Sequence, residues 1–79
     1  MKVSELQARL SKLDPSLEVY CYTEDEKLAT QDRPFVIFAV CSADTVRAVQ
    51  TRLDDGTPYF QFDNEKGRPV VTLEITGDF

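Results

Sequence analysis

The sequence predicts an α+β domain, residues 1–79, in which one N-terminal helix packs on an antiparallel sheet of four or five strands. Three observations predict it. An opening segment carries apolar residues at three- and four-residue steps and ends at a proline; at least two later segments alternate apolar and polar residues; and Asp, Asn, Gly and Pro cluster between them.

In the first element, Val3, Leu6, Leu10 and Leu13 form one stripe of an amphipathic helix, with Glu5, Arg9 and Lys12 opposite. Ser4 and Gln7 have the spacing of a capping box. Glu5 near the start and Lys12 near the end complement the helix dipole. Asp14-Pro15 stops the helix, because the proline ring disfavours helical geometry at the residue before it.

Leu17 to Thr23 reads as a strand with Leu17, Val19 and Cys21 on the face the helix covers and Glu18, Tyr20 and Tyr22 on the other. Glu24-Asp25-Glu26-Lys27 and Gln31-Asp32-Arg33-Pro34 have the composition of an exposed connection. Phe35 to Cys41 is apolar at every position, the pattern of a strand buried on both faces. Residues 43–53 fit a strand or a second helix: Ala43, Val46, Val49 and Leu53 make a helical stripe, whereas the β-branched content and the Asp54-Asp55-Gly56 turn signal favour a strand. Tyr59–Phe62 and Val70–Thr76 read as two further strands joined across Asp63–Gly67, with Pro58 at a strand start and Val71, Leu73 and Ile75 directed to the core.

The opening Glu5-Leu6-Gln7-Ala8-Arg9-Leu10-Ser11-Lys12-Leu13-Asp14-Pro15-Ser16-Leu17-Glu18-Val19 resembles the "ELxxxLxxLDPxxEV" start of small uncharacterised proteins of bacteria, phages and prophages. The resemblance extends to Tyr22–Glu26, to Asp55-Gly56 with Pro58, and to the closing Leu73–Phe79. It implies strand rather than helix over residues 45–53. It carries no agreed activity, and implies an accessory protein of a phage or other mobile element.

Composition narrows the chemistry. The 79 residues are 42% hydrophobic, with eight aromatics, too apolar for a disordered chain. The chain has no histidine, which removes the commonest general base and the Ser-His and Cys-His nucleophiles, and no catalytic residue is assigned. Cys21 and Cys41 sit in apolar segments and are expected as reduced, buried thiols; two thiolates are too few for a structural zinc. Glu24-Asp25-Glu26 lacks the alternate-position ligands and turn glycine of a calcium loop, so neither metal nor cofactor is expected. No apolar run reaches the length of a membrane span or signal peptide, and a cytoplasmic location follows as an expectation.

Fourteen acidic against nine basic residues give a net charge of -5, unfavourable for direct binding to nucleic acid. The expected partner is another protein, met by a surface of Glu18, Tyr20, Tyr22, Glu24, Asp25, Glu26, Asp32 and Tyr59. Two alternatives stand beside this non-enzymatic binding protein. One is an inhibitor that imitates nucleic acid before a nuclease or defence complex; the other is a small-ligand-binding or homodimeric module.

Overall fold

The computed structural model describes all 79 residues, Met1–Phe79. The architecture is α+β: one helix, α1 (Val3–Leu10), and four strands, β1 (Tyr20–Thr23), β2 (Val36–Arg52), β3 (Pro58–Phe62) and β4 (Arg68–Thr76), in one antiparallel sheet. β2 pairs with each of the other three strands. The chain divides into two compact units, Met1–Ser42 with Glu74–Phe79, and Ala43–Leu73.

In the first unit, α1 ends at Leu10 rather than Leu13. The Ser11 hydroxyl donates back to the Ala8 carbonyl (2.8 Å), and Leu13 N–H closes a tighter turn on the Leu10 carbonyl (3.0 Å). The expected capping box does not form, because the helix starts at Val3 and puts Ser4 inside its first turn; Lys2 is the N-cap and supplies no side-chain bond. No residue of α1 is buried. Asp14 organises the stop: its carboxylate accepts from Ser16 N–H (2.9 Å) and Ser16 hydroxyl (2.8 Å), and these bonds hold its pKa below the ordinary 3.8.

β1 begins at Tyr20, three residues later than the alternation predicts. Leu17 and Val19 therefore precede the ladder and are exposed, Leu17 at 63%. The β1–β2 register pairs Tyr20 with Ala39, Cys21 with Phe38, Tyr22 with Ile37 and Thr23 with Val36. Opposed residues share a face. One face thus carries Cys21, Thr23, Val36, Phe38, Val40 and Ser42, all half-buried, with Gly77 backing onto the Phe38 ring. The other carries Tyr20, Tyr22, Ile37, Ala39 and Cys41. The Ser42 hydroxyl donates to Glu74 (3.1 Å), so Ile75 of β4 belongs to that second face.

The second unit resolves the choice over residues 43–53: β2 continues as strand without interruption to Arg52, and Leu53 begins the turn. β2 and β3 form a hairpin with Ala48 opposite Phe62, Gln50 opposite Phe60 and Arg52 opposite Pro58. Its turn is closed by Gly56 N–H to the Leu53 carbonyl (2.8 Å) and Leu53 N–H to the Thr57 carbonyl (2.9 Å), with Gly56 at φ 86°, a left-handed conformation that costs a side-chain-bearing residue. The Asp55 carboxylate accepts from Thr57, which lowers its pKa. Between β3 and β4, Asp63 takes the N–H groups of Glu65 and Lys66 (2.9 Å each) on one oxygen, while its carbonyl accepts from Gly67 (2.9 Å). Gly67 is buried against Ala48 and Arg47 so closely that a Cβ would overlap their backbone. Ala48, 1% exposed, is the sole buried apolar residue.

Three expectations about the core fail. Val71, Leu73 and Ile75 are exposed rather than directed inward, Cys21 is half-buried, and Cys41 is exposed. The common reason is a shortage of cover: a sheet apolar on both faces needs two layers, and the chain supplies one eight-residue helix that buries none of its own side chains.

Candidate protein-contact surface

The expected tyrosines fall on the open side of the sheet in the first unit. Tyr20 is 44% and Tyr22 69% exposed, and the paired Ile37 is 42% exposed beside them. Strand alternation puts all three side chains on one face, and the exposed Cys41 and Ile75 extend it. The paired strand positions of that face carry no charged side chain, but Glu18, two residues before Tyr20, sets a carboxylate beside it. At its border the Tyr20 hydroxyl donates to Glu18 (2.9 Å); the carboxylate's acceptance of that proton, with its charge, raises the Tyr20 pKa above 10.0. The Tyr20 ring also meets Phe79, centroids 5.2 Å apart and tilted by 58°, within the range of favourable aromatic contact.

The acidic loop is less uniform than its composition suggests. Asp25 is occupied by the loop itself: its carboxylate accepts from Lys27 N–H (2.9 Å), its carbonyl from Leu28 (2.9 Å) and Ala29 (2.7 Å), and its own N–H donates to Thr23 Oγ1 (3.1 Å). Glu24 and Glu26 line one shallow cleft with Thr30, Gln31 and Pro34. Asp32 lies outside that cleft, in a turn closed by reciprocal Thr30 and Arg33 backbone bonds (2.9 and 3.1 Å). The acidic residues form no group able to hold a metal ion. Tyr59 belongs to the second unit, where it faces Thr51 across the hairpin and lines a groove with Gln50, Pro58 and Phe60.

One concavity was not anticipated. An open groove of about 640 Å³ runs in the first unit along Leu10, Leu13, Leu17 and Val19 to Tyr20, and is mostly apolar. The helical stripe named Leu10 and Leu13, but as core. The signal that could have found the groove is the same shortage of covering elements, countable from the sequence. No helix is long and apolar enough to cross a membrane. No family model, curated protein or solved structure matches the chain.

Proposed function

We propose that the protein is a small acidic, non-enzymatic binding protein that acts through protein–protein contact, as an accessory protein of a phage or other mobile element. The mobile-element setting rests on the resemblance of its opening to such proteins. The observation that supports the contact reading is the open face of Tyr20, Tyr22 and Ile37, three large exposed side chains brought side by side by the β1–β2 ladder with the Glu18 carboxylate at their border. Contiguous exposed apolar surface marks an interaction site, and tyrosine anchors contacts because its large ring has few rotamers and ends in a polar tip. The absence of cations from this face argues against stacked nucleic acid, which needs a positive groove alongside the rings.

The test is capture from host lysate that also contains an untagged copy of the chain, using the wild type and Tyr22→Ala as baits. The expected result is one stoichiometric protein retained by the wild type and weakened at least about tenfold by the substitution, the scale of a buried aromatic anchor. Equal retention by both baits would remove the tyrosine face as the contact.

The shared cleft of Glu24 and Glu26 favours, as a second reading, imitation of nucleic acid. On that reading DNA competes with the captured partner and Glu24→Gln with Glu26→Gln abolishes capture; indifference to both refutes it.

A further inference from the structure

Resting on the contact reading, we infer that the segment Gly77–Phe79 is a strap over Tyr20, which a partner of the open face has to release before it binds.

The tail leaves β4 at Thr76 and belongs to the first unit, as Tyr20 and Phe38 do. Side chains set its course. Asp78 N–H donates to Thr76 Oγ1 (3.1 Å), a turn of the Ser/Thr kind; Gly77 backs onto the Phe38 ring; and the Phe79 ring meets Tyr20 with centroids 5.2 Å apart and planes tilted by 58°. Phe38 and Tyr20 stand on opposite faces of the β1–β2 ladder, so the tail passes from the half-buried face to the open one. The tyrosine it reaches is 44% exposed, against 69% for Tyr22. An incoming side chain therefore finds Tyr22 open and Tyr20 already engaged.

The contact is weak enough to yield. Phe79 is itself 64% exposed and no residue of the tail is buried, so release uncovers little apolar surface. A tilted ring pair at this distance shifts an equilibrium by about fivefold. A partner that needs the Tyr20 ring is weakened by about that factor, because only the released fraction of the molecule receives it. Tyr20 stays in place when Phe79 leaves, since its hydroxyl remains on Glu18 (2.9 Å), and the ring is presented ready for the partner.

Nuclear magnetic resonance of the full chain tests the strap directly, and binding to the protein retained in the capture experiment tests its effect. The expected results are a cross-peak between the Phe79 and Tyr20 rings in the free chain, lost when that partner is added, and Tyr20 ring resonances shifted by Phe79→Ala. Phe79→Ala binds the partner about fivefold more tightly, Phe79→Tyr binds it as the wild type does, and the unfolding midpoint of Phe79→Ala is unchanged. A protein retained by Phe79→Ala alone likewise supports the strap. No cross-peak in the free chain, a cross-peak that survives in the complex, or binding by Phe79→Ala no tighter than wild type overturns it. A lowered midpoint also overturns it, by making Phe79 a structural residue. If the partner binds through Tyr22 but is indifferent to Phe79, the contact reading stands and only the strap fails. If Tyr22→Ala leaves binding unchanged, or no bait, Phe79→Ala included, retains a protein, both fail.

Discussion

The two units solve the problem of a small chain by different means. The second, Ala43–Leu73, is held by backbone: a hairpin with a left-handed glycine, a five-residue connection gathered on Asp63, and Gly67 pressed onto Ala48. The first, Met1–Ser42 with Glu74–Phe79, has more apolar surface but nothing of its own to bury it. Local geometry can specify a fold with few side-chain contacts, whereas an apolar pattern specifies one only when the chain also supplies the opposing layer. Protection of backbone amides against hydrogen exchange distinguishes the two: Ala48 is expected to be protected more strongly than Tyr20–Thr23. Equal protection would break the comparison.

The largest single effect is expected at Gly67. A methyl group there meets the backbone of Ala48 and Asp63, neither of which can yield without breaking ladder or loop bonds, so Gly67→Ala should cost about 3 kcal/mol in denaturant unfolding. Gly56→Ala meets no atom and is strained only by its positive φ, for an expected loss of about 1 kcal/mol. A larger loss at Gly56 than at Gly67 would show that the turn, not the close approach, holds the second unit.

Acid sharpens the comparison with a smaller effect. The amides of Lys66 and Glu65, and then the charge of Arg47, hold the Asp63 pKa below 3.8. Because the folded value lies below the unfolded one, the carboxylate's stabilisation is complete above about 3.8 and is lost as pH falls through the folded value. The Glu65 and Lys66 amide resonances should therefore titrate with a midpoint below 3.8, and a midpoint at or above it would contradict the loop geometry. Smallest is Glu18→Gln in the first unit: losing the carboxylate returns the Tyr20 phenol toward 10.0 in a ring-resonance titration, with no measurable change in unfolding. An unchanged Tyr20 titration would mean that the Glu18 bond does not persist in solution.

Elements with a local cause were legible in the sequence. The helix starting at Val3, the Asp55-Gly56 turn and β3 starting at Pro58 follow from periodicity and turn chemistry, whereas the helix ends at Leu10, before the expected Asp14-Pro15 stop. Strand alternation also put Tyr20 and Tyr22 on one face, but not their exposure, since Leu17 and Val19 on the opposite side are exposed as well. Elements with a tertiary cause were not. Residues 43–53 carry helical and strand patterns together, and pairing with β3 and β4 selects the strand. Leu17, Val71, Leu73 and Ile75 look like core in any one-dimensional reading, because hydrophobicity marks what is to be buried without saying by what. In the acidic loop, composition could not tell that Asp25 spends its carboxylate on its own backbone while Glu24 and Glu26 face outward.

The apolar start of β2 has a consequence during synthesis. Phe35–Cys41 is seven residues of high β propensity without a charge, glycine or proline, the kind of segment that nucleates intermolecular β stacking when displayed alone. Ribosomes release chains one at a time, so every molecule passes through a period with this segment unshielded. Arg33-Pro34 on one side and Asp44 and Arg47 on the other bracket it, as gatekeeper residues do. With β1 only four residues long, they oppose sheet growth until the face is covered, and the yield of soluble protein in the cell is expected to depend on these flanks more than on any residue of the contact itself.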